Sequence, residues 1–190
     1  MATSGFFCRD PLLRRSLERT REPVLCVYEL EKLLYTGKAG WSHVDEVWPR
    51  LYLGGQEIAA NKGELLKKCI THVLNASHSR WRGGEDYKGM NISYMGIEAQ
   101  DSPTFDMSVY FYPAADFINN ALREKGGKIL VHCAVGVSRS ATLVLAYLMI
   151  HQHMNLVEAI TTVKDRRGII PNRGFLRQLI NLDNTLMRNR

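Results

Sequence analysis

The sequence has few cysteines, no long apolar run and no repeated or low-complexity segment. Its four cysteines form neither a C-x-x-C pair nor a regular framework, which argues against a structural zinc site and a disulfide scaffold. The apolar stretch at 140–150 is too short to span a bilayer. The first residues hold no apolar signal-peptide core, and residue 2 is alanine, which excludes N-myristoylation. We therefore expect no membrane partner, no metal and no cofactor.

The length and the charge of the chain indicate which class of protein it is and which partners it binds. A chain of 190 residues, 45% of them hydrophobic and 23% charged, is typical of one globular domain with a sizeable core. The net charge of +6 is concentrated at 164–190, which holds seven basic and two acidic residues. Phe175 is the only aromatic residue among these basic ones, so we do not expect nucleic acid as a partner. An acidic or phosphorylated protein fits this charge better.

The segment at 129–150 carries the strongest chemical signal. A short run rich in β-branched residues at 129–131 predicts a buried central strand, and 140–150, apolar almost all round, predicts a buried helix. Between them, a loop that leads into a helix N-terminus is a favourable place for an anion. In this loop Gly136 permits a close approach, Arg139 offers two parallel donors, and Cys133 is placed to become a thiolate. These features predict a phosphate loop, which we define as residues 132–140, that acts by covalent phosphoryl transfer.

Strands alternate with helices along the rest of the chain, so the fold class is α/β. We predict one domain with a central mixed, largely parallel sheet flanked by helices, and the phosphate loop between the central strand and the buried helix. The catalytic domain covers 43–188, and 1–42 is an N-terminal extension with a short helix that packs as a cap. The patterns predict helices at 29–35, 57–68 with a break at 61–63, 108–124, 156–166 and from Pro171 onward, a hairpin around Pro49, strands at 71–76 and 92–98, and a long surface loop at 77–90.

Three motifs resemble those of a known enzyme family. The pattern His-Cys-x-x-Gly-x-x-Arg-Ser at 132–140 is similar to the signature loop of cysteine-dependent protein tyrosine phosphatases. The segments Asp-Ser-Pro-Thr-Phe-Asp at 101–106 and Pro-Asn-Arg-Gly-Phe-Leu at 171–176 resemble the dual-specificity branch, and the likeness is greatest to its small atypical members. The resemblance implies a protein phosphatase that hydrolyses phosphotyrosine and phosphoserine or phosphothreonine through a phosphocysteine intermediate.

The resemblance also implies roles for particular residues. Cys133 is the nucleophile, and Ser140 assists the departing thiolate, unless it is only an N-terminal residue of the helix. The phosphate is bound by Ala134, Val135, Gly136, Val137, Ser138 and Arg139. His132 helps to keep Cys133 ionised, unless it is only a buried core histidine.

Asp106, Asn172 and Arg167 have two interpretations each. Asp101 matches the general acid of the family, and Asp106 is the competing acid, for which a helix cap is the preferred role. Asn172 either braces the phosphate loop or only caps the last helix. Arg167 lies at the pocket rim and holds a second phosphate, or else forms a solvated basic pair with Arg166.

The N-terminal charge pattern and the reactive cysteine give expectations for the substrate and the location. Four arginines at 14–21 precede an apolar stretch at 24–27, a pattern similar to a docking peptide for mitogen-activated protein kinases, although a solvated tail is the simpler interpretation. These kinases or other signalling proteins are the expected substrates, and a homodimer is a candidate assembly. A reactive thiolate requires a reducing compartment, so we expect the cytoplasm and nucleus.

Two other functions compete with a protein phosphatase. A phosphoinositide or RNA phosphatase would favour basic residues inside the loop, where this chain has Ala134, Val135 and Val137. A non-enzymatic phosphate-binding or scaffolding module would not need the nucleophile and the acid, yet both are present.

Overall fold

A five-stranded sheet forms the centre of the molecule. The computed structural model describes residues 25–37, 39–80 and 87–189, and the strands in these ranges are arranged in the order β1-β2-β5-β3-β4. β1 is antiparallel to β2, and the other three pairings are parallel. The strands are β1 Val44–Trp48, β2 Leu51–Gly54, β3 His72–Asn75, β4 Ser93–Gly96 and β5 Ile129–His132. The predicted mixed, largely parallel sheet is confirmed, with β5 as its central strand.

Seven α-helices flank the sheet within the described ranges. They are α1 Val27–Tyr35, α2 Gln56–Ala60, α3 Lys62–Lys67, α4 Phe111–Arg123, α5 Arg139–His151, α6 Leu156–Lys164 and α7 Arg173–Arg188. A 3₁₀ turn at Ser108–Tyr110 leads into α4, so the helix predicted from residue 108 begins in a tighter form. None of these helices is long and apolar enough to cross a membrane.

Polar caps set two of the helix boundaries. The side chain of Asn61 accepts a hydrogen bond from the backbone N–H of Glu64, which starts α3 at the predicted break. Asn172 caps α7 in the same way, because its Oδ1 accepts from the N–H of Phe175 at 3.0 Å. The last helix therefore begins after Asn172 and not at Pro171, as the sequence had suggested.

The two faces of the sheet carry separate apolar clusters. Along β5, Ile129 and Val131 belong to the larger cluster and Leu130 to the smaller one, because successive side chains of a strand point to opposite faces. The smaller cluster lies beneath α2 and α3 and includes Tyr87, whose hydroxyl donates to the carbonyl of Ala59. The predicted surface loop at 77–90 is therefore anchored in the core by Tyr87, and its residues 81–86 lie outside the described ranges.

The larger cluster holds α5 and α1 together. All ten side chains at 140–149 are buried, as expected for a helix that is apolar all round. Leu30 and Leu34 of α1 are buried in the same cluster. The helix of the N-terminal extension thus packs on the catalytic body, while residues 1–24 of that extension lie outside the described ranges.

Candidate active site

The carbonyl groups of the phosphate loop accept hydrogen bonds from the segments behind it, and these bonds hold the loop in place. The backbone N–H of Gln56 donates to the carbonyl of Ala134 at 3.0 Å, and the N–H of Ile170 donates to that of Val137 at 2.8 Å. The Arg167 guanidinium fills the space between them, with Nη2 on the carbonyl of Val135 at 2.9 Å and Nε on that of Gly136 at 2.8 Å. Four consecutive carbonyl groups therefore point to the convex side of the loop.

The geometry of the peptide bond then fixes the direction of the N–H groups. In a trans peptide the N–H points opposite to the C=O of the same plane, so the N–H groups of residues 135–138 face the concave side. One of them shows this directly: the N–H of Gly136 donates to Sγ of Cys133 at 3.2 Å. The concave side is thus lined by backbone donors around a sulfur atom at the N-terminus of α5, which is an arrangement that binds anions.

Gly136 is the residue that permits this curvature. Its φ is +81°, a conformation that residues with a side chain rarely adopt. A Cβ at this position would lie 2.3 Å from the carbonyl oxygen of Gly54, so a side chain would push the loop away from β2.

Cys133 lies at the base of the loop. It is 3% exposed, and Sγ accepts hydrogen bonds from Gly136 N–H and from the Ser140 hydroxyl, each at 3.2 Å. Burial raises the pKa of the Cys133 thiol, but the Ser140 hydroxyl and backbone, the Gly136 N–H and the charge of Arg139 together outweigh it, and the pKa falls below its ordinary value. The site therefore favours a thiolate, the form that acts as a nucleophile.

Arg139 connects the phosphate loop to the segment before Asp101. Its Nη1 donates to the carbonyl of Ala99 at 3.0 Å. Its Nε is buried and has no hydrogen-bond partner among the described residues. Such a donor needs an acceptor, and a phosphate oxygen in the loop would supply one.

Asp101 lies at the edge of the phosphate loop. Its Oδ1 accepts from the Ser138 hydroxyl at 2.7 Å and from Nδ2 of Asn172 at 2.9 Å. The Ser138 hydroxyl in turn accepts from the N–H of Asn172 at 3.2 Å. Asn172 therefore both caps α7 and braces the loop, so its two interpretations hold together.

Asp106 has a different environment. Its Oδ1 accepts from the N–H of Ser108 at 3.0 Å and from the Ser108 hydroxyl, at the start of the 3₁₀ turn that leads into α4. This contact is the turn-capping role preferred for Asp106. Of the two competing acids, Asp101 is the one that contacts the phosphate loop.

The segment that carries both acids is fixed by the last helix. We call residues 101–106 the acid loop. A Cβ on Gly174 would lie 2.0 Å from the carbonyl oxygen of Pro103, so the glycine allows the acid loop to pack directly on α7. Gln178 donates from Nε2 to the carbonyl of Phe105 and accepts from the N–H of Met107, both at 2.8 Å. Gln178 was not predicted from the sequence, although its polar side chain beside the apolar stripe of this helix was a signal.

Arg167 differs from the expectation of a second phosphate ligand at the rim. Its side chain is 1% exposed, and Nη1 contacts the carbonyl of Ser42 at 2.8 Å and Oδ2 of Asp45 at 2.6 Å. With Nε and Nη2 on loop carbonyls, the guanidinium is committed to protein acceptors. The structure gives it a supporting role behind the loop, and it is not part of a solvated basic pair.

His132 also differs from its implied role. Burial lowers its pKa to about 4, although a hydrogen bond to the carbonyl of Cys133 opposes this shift. The imidazole is therefore neutral at pH 7 and carries no charge that could hold Cys133 ionised. Its Nδ1 lies 3.3 Å from that carbonyl oxygen and does not contact the sulfur. Ser140 and the loop N–H groups perform the task expected of His132.

Comparisons with known proteins agree with this geometry. The family model described as the catalytic domain of dual specificity phosphatases matches residues 51–185. The chain belongs to the dual specificity phosphatase family. It is 68% identical to dual specificity protein phosphatase 26 of Homo sapiens and 66% identical to that of Rattus norvegicus, in each case over 94% of this chain and 87% of the relative.

Solved structures extend the likeness to the fold. Human DUSP28 is similar with a TM-score of 0.69 and 29% identity, over 80% of this chain and 99% of the other. The Yvh1 phosphatase domain from Chaetomium thermophilum gives a TM-score of 0.64 and 26% identity, over 75% and 96% of the two chains. The chain is therefore a protein phosphatase of the cysteine-based hydrolase class.

In the described residues, no group of three or more His, Cys, Asp or Glu side chains could hold a metal ion.

Proposed function

We propose that Cys133 and Asp101 carry out the two bond changes of phosphoester hydrolysis. The Cys133 thiolate attacks phosphorus, the S–P bond forms, and the P–O bond to the substrate breaks. Asp101 donates its proton to the departing oxygen, so that tyrosine, serine or threonine leaves as a neutral hydroxyl. The observation that carries this proposal is the sulfur, which accepts two hydrogen bonds at the base of a ring of backbone donors.

Hydrolysis of the phosphocysteine completes the cycle. A water molecule gives a proton to the Asp101 carboxylate and attacks phosphorus, and the electron pair of the S–P bond returns to sulfur. The Ser140 hydroxyl, 3.2 Å from Sγ, donates to the sulfur as its negative charge develops. Arg139 and the loop N–H groups hold the phosphoryl oxygens in both steps.

The bracing of Asp101 supports its role as the acid. Its carboxylate is exposed and is held by Ser138 and Asn172, so Oδ1 is anchored at the edge of the cradle while the carboxyl group remains open to a substrate. A positioned proton donor needs this combination of fixed orientation and access.

The proposed substrates are phosphorylated signalling proteins, with mitogen-activated protein kinases as the specific candidates. The support is the basic segment at 14–21 followed by the apolar stretch at 24–27. Leu25 and Val27 are partly buried against the core, so docking through this segment would rest mainly on its arginines. We also propose that the protein is located in the cytoplasm and nucleus, which the need for a reduced thiol supports, and that it assembles as a homodimer.

Turnover of defined phosphopeptides tests the proposed function. Peptides with phosphotyrosine, with phosphothreonine and with both should each release phosphate, and Cys133→Ser should lower the rate by about 10²-fold or more. Cys69→Ser is the matched control, because Cys69 is exposed and should leave turnover unchanged. Hydrolysis of phosphoinositides with no activity on any phosphopeptide would contradict the proposal.

A further inference from the structure

A second cleft opens beside the phosphate loop. It has a volume of about 380 Å³ and lies between the segment before β1, the start of α2 and the exposed part of the loop. We call it the side cleft and define it by Trp41, His43, Glu57, Ala134, Val135 and Arg167. Because Ala134 and Val135 directly follow Cys133 in the loop, the side cleft adjoins the catalytic cradle.

The charges around the side cleft do not suit a second phosphate. Arg167 and His43 are the lining residues that can be positively charged, and each faces a carboxylate. Oδ2 of Asp45 lies 2.6 Å from Arg167 Nη1, and Oε2 of Glu57 lies 2.7 Å from His43 Nδ1. The Arg167 side chain is 1% exposed and lies beneath the surface of the cleft. An incoming phosphate would meet no unpaired cation among the lining residues and would approach Glu57.

The apolar part of the lining suits an uncharged side chain. Trp41 is 53% exposed and Val135 is 54% exposed, and both border this cleft. Two exposed apolar side chains that line one cleft gain free energy when another apolar group covers them. The volume is also in the range of clefts that accept small groups.

A bound substrate would bring its own neighbouring residues to this place. An extended peptide advances by about 3.3 Å per residue, so a side chain next to the phosphoresidue reaches a cleft that begins one residue beyond Cys133. We propose that the side cleft is a subsite for an apolar or aromatic side chain flanking the phosphoresidue, and that it disfavours a second phosphate. This inference rests on the proposed protein phosphatase function.

Kinetics on a peptide series test the subsite. Each peptide carries one phosphotyrosine, and each flanking position is occupied in turn by alanine, leucine, phenylalanine or phosphothreonine. At one flanking position, leucine and phenylalanine should raise kcat/KM by roughly ten-fold over alanine, mainly through KM, as expected for an apolar pocket. Phosphothreonine at that position should give no gain. A gain from phosphothreonine larger than that from leucine would overturn the proposal, as would the absence of any preference.

Variants of Trp41 connect the preference to the cleft. Trp41→Ala should abolish the gain from leucine and phenylalanine, and Trp41→Phe should retain most of it. Both should hydrolyse p-nitrophenyl phosphate normally, because this substrate is too small to enter the side cleft, and this activity also shows that the variants are folded. Tyr28→Ala, at an exposed aromatic residue of α1, is the matched control and should keep the preference. If Trp41→Ala keeps the preference, the assignment is wrong.

Glu57→Gln separates charge from shape. Removal of this carboxylate should improve peptides with the flanking phosphothreonine by a few-fold and leave the leucine peptides unchanged. No change for either peptide would show that Glu57 does not set the exclusion of phosphate. Failure of the proposed function is distinct from all these results, because no phosphopeptide would then be turned over.

Discussion

The concave and convex faces of the phosphate loop use the same peptide groups for opposite purposes. On the convex face, four carbonyl groups accept from Gln56, Ile170 and Arg167, and every contact is made within the protein. On the concave face, the N–H groups surround Cys133, and Nε of Arg139 has no partner among the described residues. The convex face, whose carbonyl groups all have hydrogen-bond donors, maintains the shape of the loop. The concave face, whose donors remain available, provides the binding site for an oxyanion.

The two arginines show this difference most clearly. Arg167 has all three nitrogens on protein acceptors and one carboxylate partner, Asp45. Within the described part of the chain, Arg139 has one such contact, to the carbonyl of Ala99. An arginine near a phosphate loop is therefore not by itself a phosphate ligand, because what matters is which of its donors remain available.

Arg139→Lys should give the largest effect. Lysine keeps the charge but loses the planar pair of donors, so kcat/KM should fall by about 10³-fold with the fold intact. Steady-state kinetics with an aryl phosphate, together with a thermal melt, check this. Near-normal kinetics would show that Arg139 is only a link to Ala99.

Asp101→Asn should distinguish substrates by their leaving groups. With phosphothreonine peptides, whose alkoxide leaves poorly, the rate should fall by about 10²-fold or more, and with an activated aryl phosphate it should change little. The matched control is Asp106→Ala, which removes the Oδ1 acceptor at the start of the 3₁₀ turn. It should lower the free energy of unfolding by roughly 1 kcal/mol and leave the leaving-group dependence unchanged. If the two variants exchange these effects, Asp106 is the acid.

Arg167→Lys removes hydrogen bonds on the convex face and should lower the rate of catalysis less than Arg139→Lys or Asp101→Asn. Lysine cannot reach Val135, Gly136 and Asp45 together, so the free energy of unfolding should fall by about 1–3 kcal/mol. Activity should fall by roughly ten-fold through a less ordered loop. Denaturant unfolding and kinetics measure the two effects. A loss of activity as large as that of Arg139→Lys, without a loss of stability, would identify Arg167 as a phosphate ligand after all.

Ser140→Ala should change a pH profile more than a rate. Burial raises the pKa of Cys133, and the Ser140 hydroxyl is the largest of the contacts that lower it. Without this donor the thiol loses its proton at higher pH, so the acidic limb of kcat/KM should move upward toward the ordinary thiol range. The pH dependence of Cys133 alkylation gives the same information without turnover. An unchanged limb would show that the backbone donors and Arg139 suffice.

The sequence predicted the concave face better than the convex one. Residues 129–150 form a contiguous strand, loop and helix, so local apolar patterns and the requirements of an anion site were enough to find Cys133 and Arg139. The partner of Arg167 is Asp45, 122 residues away, and Gln178 reaches Phe105 across 73 residues. No local pattern contains such pairs, because they arise only when β1, the acid loop and α7 pack together.

Burial explains why the role of His132 differs from the expectation. The sequence places His132 next to Cys133, and the resemblance implied that it helps to keep this cysteine ionised. In the folded chain desolvation keeps this histidine neutral, which depends on the whole core and not on its neighbours in sequence. Asn172 was predicted in two alternative roles, and the fold allows both because one side chain has separate donor and acceptor groups.

Trapping of the covalent intermediate tests the central claim most directly. Phosphoprotein substrate and enzyme would be mixed, quenched in acid within the first turnover, and digested for mass spectrometry. We expect one phosphoryl group on the peptide that contains Cys133, a larger amount of it in Ser140→Ala, and none in Cys133→Ser. A phosphoryl group on any other residue of the enzyme during turnover would contradict the assignment of Cys133 as the nucleophile. Substrate hydrolysis by Cys133→Ser at the wild-type rate would contradict it as well.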